Sequence, residues 1–226
     1  MLLEHLDPLA ASLFSLFAIV SLLLSFVMLG SRWLKNYLYA FAALSWAIAA
    51  LSAASAYFAG YPELYLIALV TLVFRGIVLP YFIWHIIRNL DVDREIHEIV
   101  QPSSGLVLGA LFVMFAFAVS VRLADRLQLG QTVAVLALTV MLSMNLIGFL
   151  MLAVRHGALS QILGLLVVES GVRLGAQILV PGMPLLLELV ILFDLLVAVA
   201  CFAVLIRYLR TLAGTTSAFG LKRLVG

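Results

Sequence analysis

Apolar runs of membrane-spanning length, separated by short polar or Gly/Pro-containing breaks, recur from one end of this chain to the other. Lipid offers no partner to backbone N–H and C=O groups, so a span must satisfy them within itself. About 20 mostly apolar residues in an α-helix do so. The breaks predict seven spans, near 9–30, 35–59, 63–88, 103–124, 130–153, 158–180 and 184–208. The fold class that follows is all-α, a polytopic membrane helix bundle of seven transmembrane helices forming one membrane domain over 1–226. Composition agrees, since 65% of the 226 residues are hydrophobic and 11% charged, against about 45–50% apolar usage in soluble domains. Residues 1–8 carry Glu4 and Asp7 in place of a basic n-region, so no cleavable signal peptide is expected and the first run is kept as a helix. The single cysteine, Cys201, lies inside an apolar run and reads as a small core residue. No disulfide, iron–sulfur ligation or Cys-based zinc site is therefore expected within this one chain.

Basic residues collect in alternate connections: Arg32 and Lys35, then Arg88 and Arg94, then Arg155, then Arg207, Arg210, Lys222 and Arg223. The other side has Arg122 and Arg126. Basic residues favour the cytoplasmic face, which puts the N-terminus out and the C-terminus in, and an odd number of spans is required. Trp33, Trp84, Tyr61, Tyr65 and Tyr208 fall near expected span ends, where aromatic side chains anchor at the interface. The longest connection, 89–102, carries Asp91, Asp93, Arg94, Glu95, His97 and Glu98 and reads as a solvated loop or surface helix.

Ionisable residues are segregated among the spans. The third, sixth and seventh hold Arg75, Glu169, Arg173, Glu188 and Asp194, whereas the central parts of the first, second, fourth and fifth hold none. A charge at the bilayer centre costs about 2.5–3.5 kcal/mol on insertion scales, so these five should be paired or solvated in a cavity. At about 1.5 Å rise per residue, Arg75, Glu169 and Asp194 fall near one level at mid-membrane. Arg173 and Glu188 are both displaced toward the outer side and are placed to pair, while Glu169 and Arg173, four apart, share a helix face. One reading is a set of structural ion pairs tying three helices together. The other is a chain of titratable groups that passes protons or responds to them, because desolvation disfavours a midplane carboxylate's charge while a nearby arginine favours it. Ser143, Asn145 and Gln161 are expected to hydrogen-bond between helices. His85 is expected at the interface, and Pro80 should remove one backbone bond about a turn after Arg75. No phosphate-cradling glycine motif, HExxH, GxSxG or haem-spaced membrane histidine pair is present, so a catalytic centre in this chain is not expected.

With these residues in view, the sequence resembles the hydrogenase-4 component E family, the membrane subunit of formate hydrogenlyase. The resemblance is carried by Phe74-Arg75-Gly76-Ile77-Val78-Leu79-Pro80 through Arg88-Asn89, by Gln161-Ile162-Leu163-Gly164 through Val168-Glu169-Ser170-Gly171, and by Pro181-Gly182-Met183-Pro184, Glu188, Phe193-Asp194 and Leu221 to Gly226. The part from 158 to 226 also resembles, more loosely, subunit K of respiratory complex I, whose buried glutamates belong to a proton-translocating axis. Two departures stand out: the family commonly has Lys where Arg75 stands, and its Glu-Asn-Gly is here Glu169-Ser170-Gly171. A guanidinium does not readily release its proton, which casts Arg75 as a fixed counter-charge.

The resemblance implies a non-catalytic membrane subunit of a complex-I-like hydrogenase assembly in the prokaryotic inner (cytoplasmic) membrane. Its partners would be antiporter-like membrane subunits and a peripheral hydrogenase or related redox module, with no nucleic acid involved. The nickel–iron and iron–sulfur centres would reside in those partners, with no cofactor in this chain. Glu169 and Asp194 would be the proton-responsive acids, Arg75 and Arg173 would tune them, and Glu188 would shape the outer end. The competing classes are a stand-alone seven-helix transporter or receptor and a passive scaffold subunit.

Overall fold

A computed structural model describes residues 8–59, 63–90, 102–126, 132–155 and 158–179. Among the described residues the chain is helical: α1 Pro8–Gly30, α2 Leu34–Ala59, α3 Glu63–Val70, a π-helical segment Thr71–Val78, α4 Leu79–Leu90, α5 Pro102–Arg126, α6 Thr132–Val154 and α7 Ala158–Leu179. Helix α3, the π segment and α4 follow one another without a break. Five helical stretches are long and apolar enough to cross a membrane: Leu9–Gly30, Leu34–Phe58, Leu64–His85, Ser103–Arg126 and Val133–Val154. The described residues are thus those of a helical membrane protein. Helix α7 carries Glu169 and Arg173 and is not among those five. The seventh expected span, 184–208, lies outside the described residues, as do Cys201, Glu188, Asp194, Tyr61, Tyr208 and most of the 89–102 connection.

The interior is tight and the outside is apolar, the arrangement that lipid as a solvent selects. Leu16, Leu23 and Val27 on α1 and Val107, Leu111, Met114, Phe115 and Phe117 on α5 are exposed. Serines sit inside instead: Ser21, Ser25, Ser45, Ser52 and Ser55 are buried, and each donates its hydroxyl to the carbonyl four residues back, at 2.7–3.0 Å. Small side chains let helices approach closely while the back-bond satisfies the hydroxyl. Ser143 behaves the same way, donating to the Thr139 carbonyl at 2.6 Å on its own helix and not to another helix among the described residues. Helix α6 is central, packing on α1, α5 and α7. Its Gly148 backs onto α7 so closely that a Cβ would stand 2.5 Å from Val168 Cγ2 and 2.8 Å from its backbone nitrogen.

The π segment has a cause in the sequence. Besides Gly76, the buried positions among the described side chains of this helix are Leu64, Ala68, Thr71, Arg75, Leu79 and Ile83. At 3.6 residues per turn, Ile83 would be rotated about 100° away from the face that Leu64 occupies. A wider turn absorbs that one residue and keeps both ends of the stripe inside. Pro80 makes the wide turn favourable where it occurs, because a proline ring clashes with the carbonyl four residues back and brings no N–H. The Leu79 N–H accordingly reaches the carbonyl of Phe74, five residues back. Pro80 therefore does more than delete one bond. It re-registers the helix just after the buried arginine, and π turns of this kind cluster at functional sites.

Candidate functional site

The π segment presents Arg75 to α7 at mid-depth, 1% exposed. Its Nη1 donates to Glu169 Oε1, and its Nη2 donates to Ser170 Oγ at 2.8 Å and to the Leu166 carbonyl at 3.5 Å. Ser170 in turn donates to the same Leu166 carbonyl at 2.7 Å. The guanidinium carbon stands 5.6 Å from the Phe41 ring centroid, so α2 supplies an aromatic face to the cation. Arg173, one turn beyond Glu169, donates from Nη2 to the same Oε1 at 2.8 Å. One carboxylate oxygen therefore holds two arginines from two different helices. The other oxygen, Oε2, is buried and has no hydrogen-bond partner among the described residues. Glu169 keeps 16% of its side chain accessible against 1% for Arg75, although its Oε2 atom is itself buried.

Three of the five sequence-predicted charges are described, and these three are in contact. Arg173 spends a guanidinium nitrogen on Glu169, four residues back, and the pairing with Glu188 expected from depth falls outside the described residues, as does Asp194. Asn145 has its side-chain oxygen buried without a hydrogen-bond partner among the described residues. Gln161 donates to the Arg155 carbonyl at 3.2 Å, capping the α6–α7 corner instead of reaching across the bundle. His85 is exposed and stacks on Tyr81, with centroids 6.3 Å apart.

A second buried cation, Arg155, enters the sequence reading only as a loop charge. It is 2% exposed. Its Nη2 donates to the Met28 and Leu29 carbonyls at 2.8 and 3.3 Å, satisfying acceptors that the last turn of α1 cannot pair internally. The guanidinium lies 5.1 Å from the Tyr37 ring, and the Tyr37 hydroxyl donates to the Leu163 carbonyl at 2.6 Å. Arg155 and Tyr37 thus join α1, α2, α6 and α7 at one end of the bundle. The available signal was the order Arg155-His156-Gly157, a cation at a helix C-terminus followed by a helix stop. Arg155→Met is expected to destabilise the chain in detergent by about 1.5 kcal/mol through loss of these charge-assisted bonds. A melting midpoint unchanged from wild type would show that the α1 carbonyls are satisfied without it.

No family model matches the chain, and no solved structure matches it. It is similar to the uncharacterized protein Rv0085 of Mycobacterium tuberculosis, with 30% identity over 152 residues. The match takes in 66% of this chain and 66% of that protein's length.

Proposed function

We propose that this chain is a non-catalytic membrane subunit of a complex-I-like assembly of the nickel–iron hydrogenase or formate hydrogenlyase type. It crosses the prokaryotic inner membrane seven times, N-terminus out, and its buried charges take part in proton or sodium movement coupled to electron transfer. The observation that supports this reading most is the doubly held carboxylate. Glu169 Oε1 is anchored by Arg75 and Arg173, while Oε2 is left open among the described residues. Such a group takes up a proton on its open oxygen without first breaking the bonds on the other. The two guanidiniums stay charged throughout and hold the local field, so protonation of the acid changes the charge of the cluster by a full unit in a medium that screens poorly. Asp194 and Glu188 belong to the same set of charges by sequence and by the resemblance, and they lie outside the described residues. In this reading the redox metals belong to the partner subunits, as the resemblance implies.

Glu169→Gln in the assembled complex tests the proposal, because the amide keeps the size and an acceptor oxygen but cannot titrate. Co-purifying subunits and hydrogen-dependent dye reduction should be retained, while ion uptake into sealed vesicles should fall by about 10²-fold, the low end of what a positioned proton-transfer group contributes. Normal uptake would overturn the reading. Loss of assembly without a selective loss of coupling would point to a scaffold, and a chain that purifies alone and is stable without partners would point to a transporter or receptor.

A further inference from the structure

An apolar groove of about 540 Å³ runs between α2 and the π segment with α4. That volume is within the range of small-molecule sites, about 300–1,000 Å³. Lys35 stands at one end and Trp46 with Gly76 at the other, with Tyr39, Pro80 and Trp84 along the walls. Lys35 is the second residue of α2, so its end of the groove opens at a membrane surface. From Lys35 to Trp46 the helix advances about 16 Å, close to half the roughly 30 Å of bilayer hydrocarbon. The groove is therefore one leaflet deep. It stops where the Trp46 indole covers Gly76 so closely that a Cβ there would stand 2.5 Å from the ring.

Depth and charge together select the occupant. A partner helix crosses both leaflets, whereas one acyl chain of a phospholipid reaches the midplane and ends. At the surface end Lys35 is exposed, its Nζ 5.9 Å from the Tyr39 ring centroid, and it has no carboxylate partner among the described residues. Arg32, also exposed, lies three residues before it in the connection that leads into α2. Trp84 lies at the same end, at the level where indoles meet headgroups. We propose that the groove is a lipid site that holds one acyl chain of an anionic phospholipid, whose phosphate pairs with Lys35.

The test uses the full-length chain in phosphatidylcholine vesicles, with spin-labelled phosphatidylglycerol or phosphatidylcholine as probe and the motionally restricted fraction read by electron paramagnetic resonance. Phosphatidylglycerol should be preferred about fivefold, the equivalent of about 1 kcal/mol for one basic side chain at an anionic surface. Lys35→Gln should bring the preference close to one. Ala43→Phe, which fills the groove from an exposed position on its wall, should abolish the preference with Lys35 intact. Equal binding of the two lipids by the wild-type chain, or a preference that survives Ala43→Phe, overturns the proposal, the latter by reducing it to surface charge. Crosslinking of Tyr81→Cys to a second polypeptide in native membranes overturns it too, by giving the groove to a protein.

Discussion

Glu169→Ala is expected to cost the bundle about 3–5 kcal/mol, the typical penalty for removing one partner of a buried ion pair. Among the described residues Arg75 would then keep the Ser170 hydroxyl, the Leu166 carbonyl and the Phe41 ring face for a full positive charge. The loss should appear as a lowered thermal or denaturant midpoint in mild detergent, and as weakened contact between the π segment and α7. Glu169→Gln should lose much less, because its carbonyl oxygen still accepts from both guanidiniums. This separation matters for function, since it lets coupling be measured in a variant that remains folded. Equal midpoints for wild type and Glu169→Ala would mean that Arg75 finds another anion or water, and that the pair does not hold these helices together.

Gly148→Leu is expected to open the α6–α7 interface and to cost at least the upper end of the about 1–3 kcal/mol seen for overpacked cores. Even a Cβ at this position meets the Val168 backbone nitrogen at 2.8 Å and the Gly164 carbonyl oxygen at 3.0 Å, neither of which can turn aside as a side chain would. Helices α6 and α7 would have to separate, and with them the level at which Glu169 is held. Gly105→Ala on α5 is the paired control. Nothing lies within 4 Å of its would-be Cβ, so about 0.5–1 kcal/mol of helix stabilisation is expected from the lost glycine flexibility. The comparison is a pair of melting curves, and a Gly148→Leu midpoint at or above that of Gly105→Ala would contradict the close approach.

Much of this arrangement is legible in the sequence. Counting residues from span ends puts Arg75 and Glu169 at one depth, because hydrocarbon thickness and helix rise are both fixed. Four-residue spacing puts Arg173 on the face of Glu169. The helix limits, from Pro8 to Leu179, fall within a few residues of the expected breaks, since lipid leaves an apolar run little choice of structure. What was not legible depends on neighbours. The burial of Arg155 follows from where α1 ends, which a residue 127 positions away cannot advertise. Ser143 and Gln161 find acceptors on their own helix or corner, and which of several nearby carbonyls a side chain takes is a rotamer choice that composition does not encode. The π turn was half visible, through Pro80. The other half, the drift of the buried stripe, emerges only when the buried face of the helix is known.

That turn has an evolutionary side. Inserting a residue into a regular helix swings everything beyond it by about 100° and would drive one half's buried face into lipid. Between Thr71 and Val78 the surplus residue is already accommodated, so both flanking halves keep their faces. A descendant that lost one residue within that stretch would wind as an ordinary α-helix, with Leu64 and Ile83 still inside. The helix that carries the arginine can thus change length by one without changing partners, and the approach of Arg75 to Glu169 is the property that such a deletion would alter.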